Sequence, residues 1–257
     1  MLYLIYSSII MSVLMAITLV TIVTMGFLLY QRFKLAIDKT AVSNTEATVE
    51  STVDRVNSDL LDIRQIFDAA NYNIVQEFDI SSEKFAEQFS LLYEVNSDKI
   101  ESLALYGNEG RLIASEPVAV EKENIDVKGQ DWYKNAESAI ENVHFSIPHI
   151  QNLYEDGLYR YHWVVSLSRY VDINDGEIPG SGVLLVDMKY SVIEDVLKQI
   201  NDSSEGIYYY MISRDGQMIY HPRKTEMARG LFEENSLKVP GMRRALMRSQ
   251  QMDTRKV

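Results

Sequence analysis

Three places in the sequence hold residue types able to grip a small molecule. Trp132 and Tyr133 are adjacent at the start of a short helical pattern. Their rings either pack into a core or stack on a ligand. Asp187 closes the apolar run Gly182-Val183-Leu184-Leu185-Val186. It reads either as a carboxylate anchoring a ligand hydroxyl or amine, or as the turn or N-cap acid of the next helix, Ser191 to Ile200. Tyr159, Tyr161 and Trp163 alternate, so on a strand they share one face. That face lines either the core or a pocket. Tyr106, at the end of another apolar strand, has the same two readings.

Other chemistries lack their spacing. His144, His149 and His162 with Glu155 and Asp156 form no His-Glu-x-x-His pattern, so no metal site is expected. No glycine-rich phosphate loop, no Gly-x-Ser-x-Gly elbow and no kinase nucleotide motif occurs. A hydrolase built on Asp187 would need a second carboxylate about 5–10 Å away in a cleft. No catalytic residue and no cofactor is therefore assigned. Cysteine is absent, which removes disulfides and zinc–thiolate sites. Formal net charge is −12. The imbalance sits in residues 35–240, with 18 basic against 36 acidic side chains. Such a surface repels nucleic acid.

The elements that must position these residues follow from pattern. Leu2 to Tyr30 has no charged residue, and a helix of that length is roughly 44 Å long, more than a bilayer core needs. It is too long for a signal peptide, and Phe27-Leu28-Leu29-Tyr30 is a poor cleavage site. Tyr3, Tyr6 and Tyr30 suit the interfaces. Residues 31–80 form a second helical stretch. Val49, Val53, Val56, Leu60, Ile63, Phe67, Ala70 and Ile74 recur at alternating spacings of four and three, and no Gly or Pro interrupts Gln31 to Tyr106. That seam serves either packing on the chain's own domain or pairing with a second copy. Ser82 to Val95 reads as a helix. Ile100 to Tyr106 and Arg111 to Ala114 read as strands around a Gly107-Asn-Glu-Gly110 turn. Asp131 is the expected N-cap of a helix Trp132 to Ile140. Val143 to Ile147, Tyr159 to Val171 and Gly182 to Met188 read as further strands. Leu153 to Gly157 and Asp172 to Ser181 are their turns.

The first hairpin then recurs. Leu103 to Ala114 matches Tyr209 to Tyr220, with Gly110 falling on Gly216. A repeat of this kind points to two stacked modules. The second begins near Asn201 and is incomplete: beyond His221-Pro222 follows a polar stretch, then Met242 to Met247 as a possible helix.

Taken together, these features resemble a double Cache sensor domain over about Gln31 to Pro222. The carriers are the long helix after the span, Trp132-Tyr133, the strand Gly182 to Asp187, the linking helix and the Asp215-Gly216 to His221-Pro222 hairpin. The arrangement is most similar to the sensor half of YesM-type histidine kinases; chemoreceptors and diguanylate cyclases carry similar sensors. The resemblance implies an α+β fold. A transmembrane helix (1–30) and a stalk helix (31–80) precede a membrane-distal PAS-like module (81–200) and part of a membrane-proximal one (201–257). It implies a ligand pocket around Trp132, Tyr133, Gln130, Asp187, Tyr159, Tyr161 and Tyr106, with no catalysis by this chain. Gln130 stands where the amino-acid-binding version has Arg, and Ile125 where it has Tyr. Gln cannot match Arg's charged fork on a carboxylate, so the sequence favours a neutral, sugar-like ligand over an amino acid. The expected partners are that ligand, the lipid bilayer and a second copy through the stalk, with the sensor outside the cell membrane. Arg32, Lys34 and Lys39, just after the span, pull the other way on orientation. A membrane-tethered coiled coil with an α+β cap and no ligand is the structural alternative.

Overall fold

The computed structural model describes residues 2–123, 125–138, 142–155, 161–175, 178–203, 207–213 and 216–228. It divides into two units, Met1–Asp54 and Arg55–Val257. Helix α1, Leu2–Asp68, supplies residues to both.

In the first unit, Ile9 to Tyr30 leave their large apolar side chains open, and this part of the helix is long and apolar enough to cross a membrane. Its Ser and Thr hydroxyls are satisfied internally. Ser12, Thr18 and Thr21 each donate to the carbonyl three residues back, and Thr24 bonds Val20 and Thr21. A helix in hydrocarbon requires that, because no water is there to take those hydrogens. Further along, Val49 and Val53 of the seam are exposed.

In the second unit the same seam is covered. Val56, Ile63, Phe67, Ala70 and Ile74 are buried and Leu60 is partly so. Asp62 accepts from Lys99 at 2.7 Å, and Arg55 Nη1 donates to Gln199 at 2.9 Å. The helix does not run to residue 80. Its ladder loosens at Ala69–Val75 into a π-helical turn that buries Asn71, and Asp79 then caps the Ser81 turn. Helix α2, Glu83–Val95, starts at Ser82, whose Oγ accepts from Phe85 N at 3.1 Å. Phe85 and Phe89 stack on its inner face.

The main sheet is antiparallel throughout. Its strands are β1 (Ile100–Gly107), β2 (Leu112–Glu116), β3 (His144–Phe145), β4 (His149–Ile150), β5 (Trp163–Asp175) and β6 (Ile178–Lys189). The order is β2-β1-β6-β5-β3, with β4 also on β5. Central strands covered on both faces read as near-continuous buried runs, as β1 does. Leu103, Leu105, Val165, Leu167, Leu184, Val186 and Met188 face one way. They pack with α1, α2 and helix α4 (Ser191–Ser203), which buries Ile193, Val196 and Leu197. The other face carries Ala104, Tyr106, Val183 and Leu185 under helix α3 (Asp131–Ser138) and the Leu153–Tyr154 loop.

Several expected boundaries shift. β5 and β6 extend through most of the stretch expected as the Asp172 to Ser181 turn, pairing down to Asp175 with Ile178. β5 begins at Trp163, leaving Tyr161 outside it. Asp131 is the first residue of α3 rather than its cap; the Gln130 carbonyl accepts from Lys134 N. Only His144 and Phe145 of the expected Val143 to Ile147 strand pair with β5, whose neighbouring residues are taken up by β4.

The hairpin repeat is present in detail. β7 (Met211–Ile212) and β8 (Met218–Tyr220) form a two-stranded sheet. Gly110 has φ 74° and Gly216 φ 89°, conformations that glycine adopts without strain. Gly110 N bonds Gly107 O as Gly216 N bonds Ser213 O, and Gly107 N bonds Arg111 O as Ser213 N bonds Gln217 O. Even the irregularity matches: register slips between Leu105 and Tyr106 and between Met211 and Ile212. The second hairpin packs on the first sheet's helical side. Tyr220 joins that core, and Tyr190 Oη donates to Ile219 O at 2.9 Å. Asn201 clamps the incoming strand by bonding both N and O of Tyr209. Lys224, at the start of helix α5 (Lys224–Ala228), lies 3.7 Å over the Trp163 ring. Met242 to Met247, expected as a helix, lie outside the described residues.

Candidate ligand-binding site

Strand register builds the site. On the α3 face, β1, β6 and β5 set residues side by side in ranks: Ser102–Asp187–Ser166, then Ala104–Leu185–Ser168, then Tyr106–Val183–Tyr170. Small side chains flank Asp187 and Leu185, so the floor is low there and rises to rings at the third rank.

Asp187 is 1% exposed. Ser102 Oγ donates to its Oδ2 at 2.9 Å and Ser166 Oγ to its Oδ1 at 2.5 Å. His149 reaches it through the Ser166 hydroxyl, Nε2 to Oγ 3.4 Å, while its Nδ1 lies 3.0 Å from Ile147 O. Burial raises the pKa of the Asp187 carboxyl; the two serine hydroxyls and His149 pull it back. Neither Lys nor Arg among the described residues pairs with it. A carboxylate buried this deeply costs several kcal/mol, at about the scale of one unpaired ion. A cationic guest would relieve that.

The wall is aromatic. Tyr106 Oη lies 3.2 Å from Tyr154 Oη, and burial raises both phenols far above their ordinary pKa, so both stay protonated. The Trp132 ring is 5.3 Å from Tyr106 and 5.6 Å from Tyr133. Ser168 Oγ donates to the Trp132 carbonyl at 2.8 Å, pinning α3 on the sheet. Over this wall Glu121 bridges Tyr154. Lys122 N to Leu153 O and Glu155 N to Val120 O fix the same strap.

The residues singled out in the sequence separate here. Asp187, Tyr106 and Trp132 come together. Tyr133 is fully buried, and its hydroxyl donates to the Gly107 and Asn108 carbonyls, which docks α3 on the first turn. Gln130 Nε2 bonds Asp126 O at 3.4 Å. Tyr161 is 79% exposed and precedes β5, whose in-phase residues Val165 and Leu167 face the helices rather than α3. Tyr159 lies outside the described residues. Sequence reading missed Ser102, Ser166, Tyr154 and Glu121. The two serines had a signal: they alternate with Leu103 and Leu105 on β1 and with Val165 and Leu167 on β5. Tyr154 and Glu121 had none, since both sit in loops. Among the described residues no three His, Asp or Glu side chains are grouped to hold a metal. An open depression on α4, lined by Asp195, Lys198, Gln199, Asp202 and Ser203, shares no residue with the Asp187 cluster.

The Cache domain profile dCache_1 matches residues 29–254. The chain belongs to the Cache domain family. Solved structures with a similar fold include the ligand-binding domain of the Pseudomonas fluorescens chemoreceptor CtaA in complex with L-serine. It is 20% identical with a TM-score of 0.51, over 68% of this chain and 70% of that one. The ligand-binding domain of the Pseudomonas aeruginosa amino acid chemoreceptor PctC in complex with GABA gives 19% identity and a TM-score of 0.53, over 68% and 73%. That of PctB in complex with L-Arg gives 20% and 0.50, over 70% and 65%. No curated protein sequence matches this chain.

Proposed function

We propose that this chain is the ligand-sensing input region of a membrane signal-transduction protein, and that Asp187 receives an ammonium group of the ligand. The carrying observation is a buried carboxylate held by two hydroxyls and paired with no Lys or Arg among the described residues, beside an aromatic wall. Ammonium offers three donors and a full charge to such an acceptor. The similar solved domains hold L-serine, GABA and L-Arg, each with an amino group. These ligands weigh against the expectation that an amino acid is doubtful. The Arg replaced by Gln130 bears on a ligand's carboxylate end, whereas Asp187 bears on its amino end and is present. A neutral sugar would leave the Asp187 charge uncompensated.

In this reading the apolar part of α1 spans the cell membrane with the Cache domain outside. The chain catalyses nothing itself, and kinase or other output belongs to the parent protein. Val49 and Val53 are where a second copy packs; cysteine at Val53 should crosslink between chains in membranes.

The test is a thermal-shift series on the full chain in detergent, against L-amino acids, amines and sugars. Amino compounds should raise the melting temperature, and Asp187→Asn should abolish the shift. A shift with sugars alone, or one retained in Asp187→Asn, would overturn the reading.

A further inference from the structure

The His149 ring touches the Asp187 cluster, and its neighbours fix where its hydrogens lie. Nδ1 is 3.0 Å from Ile147 O and 3.2 Å from Ser146 Oγ. A carbonyl only accepts, so Nδ1 holds a hydrogen. Nε2 faces Ser166 Oγ at 3.4 Å, and Ser166 Oγ faces Asp187 Oδ1 at 2.5 Å. Ser166 has one hydrogen for these two contacts. Given to a carboxylate, it leaves Nε2 to supply its own, and the ring is an imidazolium. Given to Nε2, it leaves Asp187 to supply one, and the acid is neutral. In both arrangements Asp187 and His149 together hold one proton. With none, one of the two contacts sets lone pair against lone pair.

We propose that Asp187, Ser166 and His149 form a proton-binding relay that ties β4 to β5, so that the surrounding acidity is a second input to the domain. Imidazole is the side chain that changes charge nearest neutral pH. His149 is half-buried, so water reaches the outer end of the relay while Asp187 is sealed at the inner end. His149 pairs with Val164 of β5, and Gln151 N donates to His162 O at 2.9 Å. Loss of the proton removes the His149–Ser166 bond beside these contacts and loosens β4. The other titratable groups around the relay are Glu101 on β1, paired with His162 at 2.6 Å, Tyr106 on β1, Tyr154 and Glu121 at the strap, and His144 of β3, opposite Ser168. Glu101 is negative and favours keeping the proton. Asp131, Lys134 and Glu137 of α3 are exposed, and Lys189 of β6 donates to Ser97 O. The relay stands without the ammonium reading, since it needs no guest.

The experiment is nuclear magnetic resonance of the ligand-free full chain in lipid nanodiscs, with nitrogen-labelled histidine rings, between about pH 5 and pH 9, the span around imidazole's ordinary range. The His149 signals are those lost in His149→Gln. In the wild type Nε2 should release its proton as pH rises while Nδ1 keeps its own. Exchange of the Gln151 amide, corrected for its intrinsic pH dependence, should quicken about tenfold in step, the opening held back by one charged hydrogen bond. Ser166→Ala should weaken proton binding at His149 about tenfold, Asp187→Asn should do likewise, and Ser166→Thr should restore it. If Nδ1 is the nitrogen that titrates, if the His149 titration ignores both Ser166→Ala and Asp187→Asn, or if Gln151 exchange ignores the titration, the relay falls and the ammonium reading is untouched. Should Ser166→Ala misfold, the wild-type nitrogen that titrates and the Gln151 exchange decide the matter.

Discussion

The two faces of the main sheet are built from the same strands to opposite ends. One face presents Leu103, Leu105, Leu167, Leu184, Val186 and Met188 to three helices and is sealed. The other presents Ser102, Ala104, Ser166, Ser168 and Asp187 to one short helix and a strap. The first has filled its space with methyl groups, and each buried leucine contributes about 1.5–3 kcal/mol. The second encloses a buried carboxylate among small hydroxyl side chains and gives up stability to do so. In the proposed sensor the first face fixes the strands and the second offers its buried carboxylate to a guest.

Substitutions on each face should separate these roles. The largest loss is expected from Leu184→Ala on the sealed face, about 2–5 kcal/mol by denaturant unfolding, with ligand affinity of the remaining folded protein unchanged. Ser166→Ala should cost about 1.5–3 kcal/mol, since it strips a charged hydrogen bond from Asp187, and should weaken binding too. Asp187→Asn should do the reverse on stability: the ligand-free chain gains about 1 kcal/mol or more near neutral pH as the buried charge disappears, while binding is lost.

The pH dependence follows the same logic. The folded Asp187 pKa lies above the unfolded value of about 3.9. The folded state therefore holds a proton that the unfolded state has released. Below the unfolded value the group has no effect. Stability then falls as pH rises from there through the raised folded value. Thermal melts across that range should show this slope in the wild type and lose it in Asp187→Asn. Ligand should flatten it as well. The repeated turns allow a further comparison. Gly216→Ala should cost about 1–2 kcal/mol for its left-handed backbone alone. Gly110→Ala should cost more, because its new Cβ would also meet Lys128 Cγ at 2.9 Å.

Much of this was legible in the chain and some was not. The apolar span, the seam and the hairpin repeat each rest on local periodicity, which the backbone must obey. The repeat holds to the register slip. The end of the long helix was not legible. Nothing in Asp68-Ala69-Ala70-Asn71 announces a π-helical turn, in which Ala70 joins the core and Asn71 is buried. The Tyr161 and Trp163 alternation misled because pairing with β4 and β6 begins at Trp163 and Val164, and that phase of β5 faces the helices.

By itself the sequence determined which segments must be helix, strand or turn, and that Asp187 closes an apolar strand. Charge-free length, a four-three spacing and glycine's freedom at positive φ are properties of neighbouring residues. Only the tertiary structure decided what surrounds Asp187. Its partners come from 85 and 21 positions away, and the aromatic wall and Glu121 from separate loops. No local pattern encodes a register between strands. The packing of the sealed face fixes that register, and with it the chemistry of the open one.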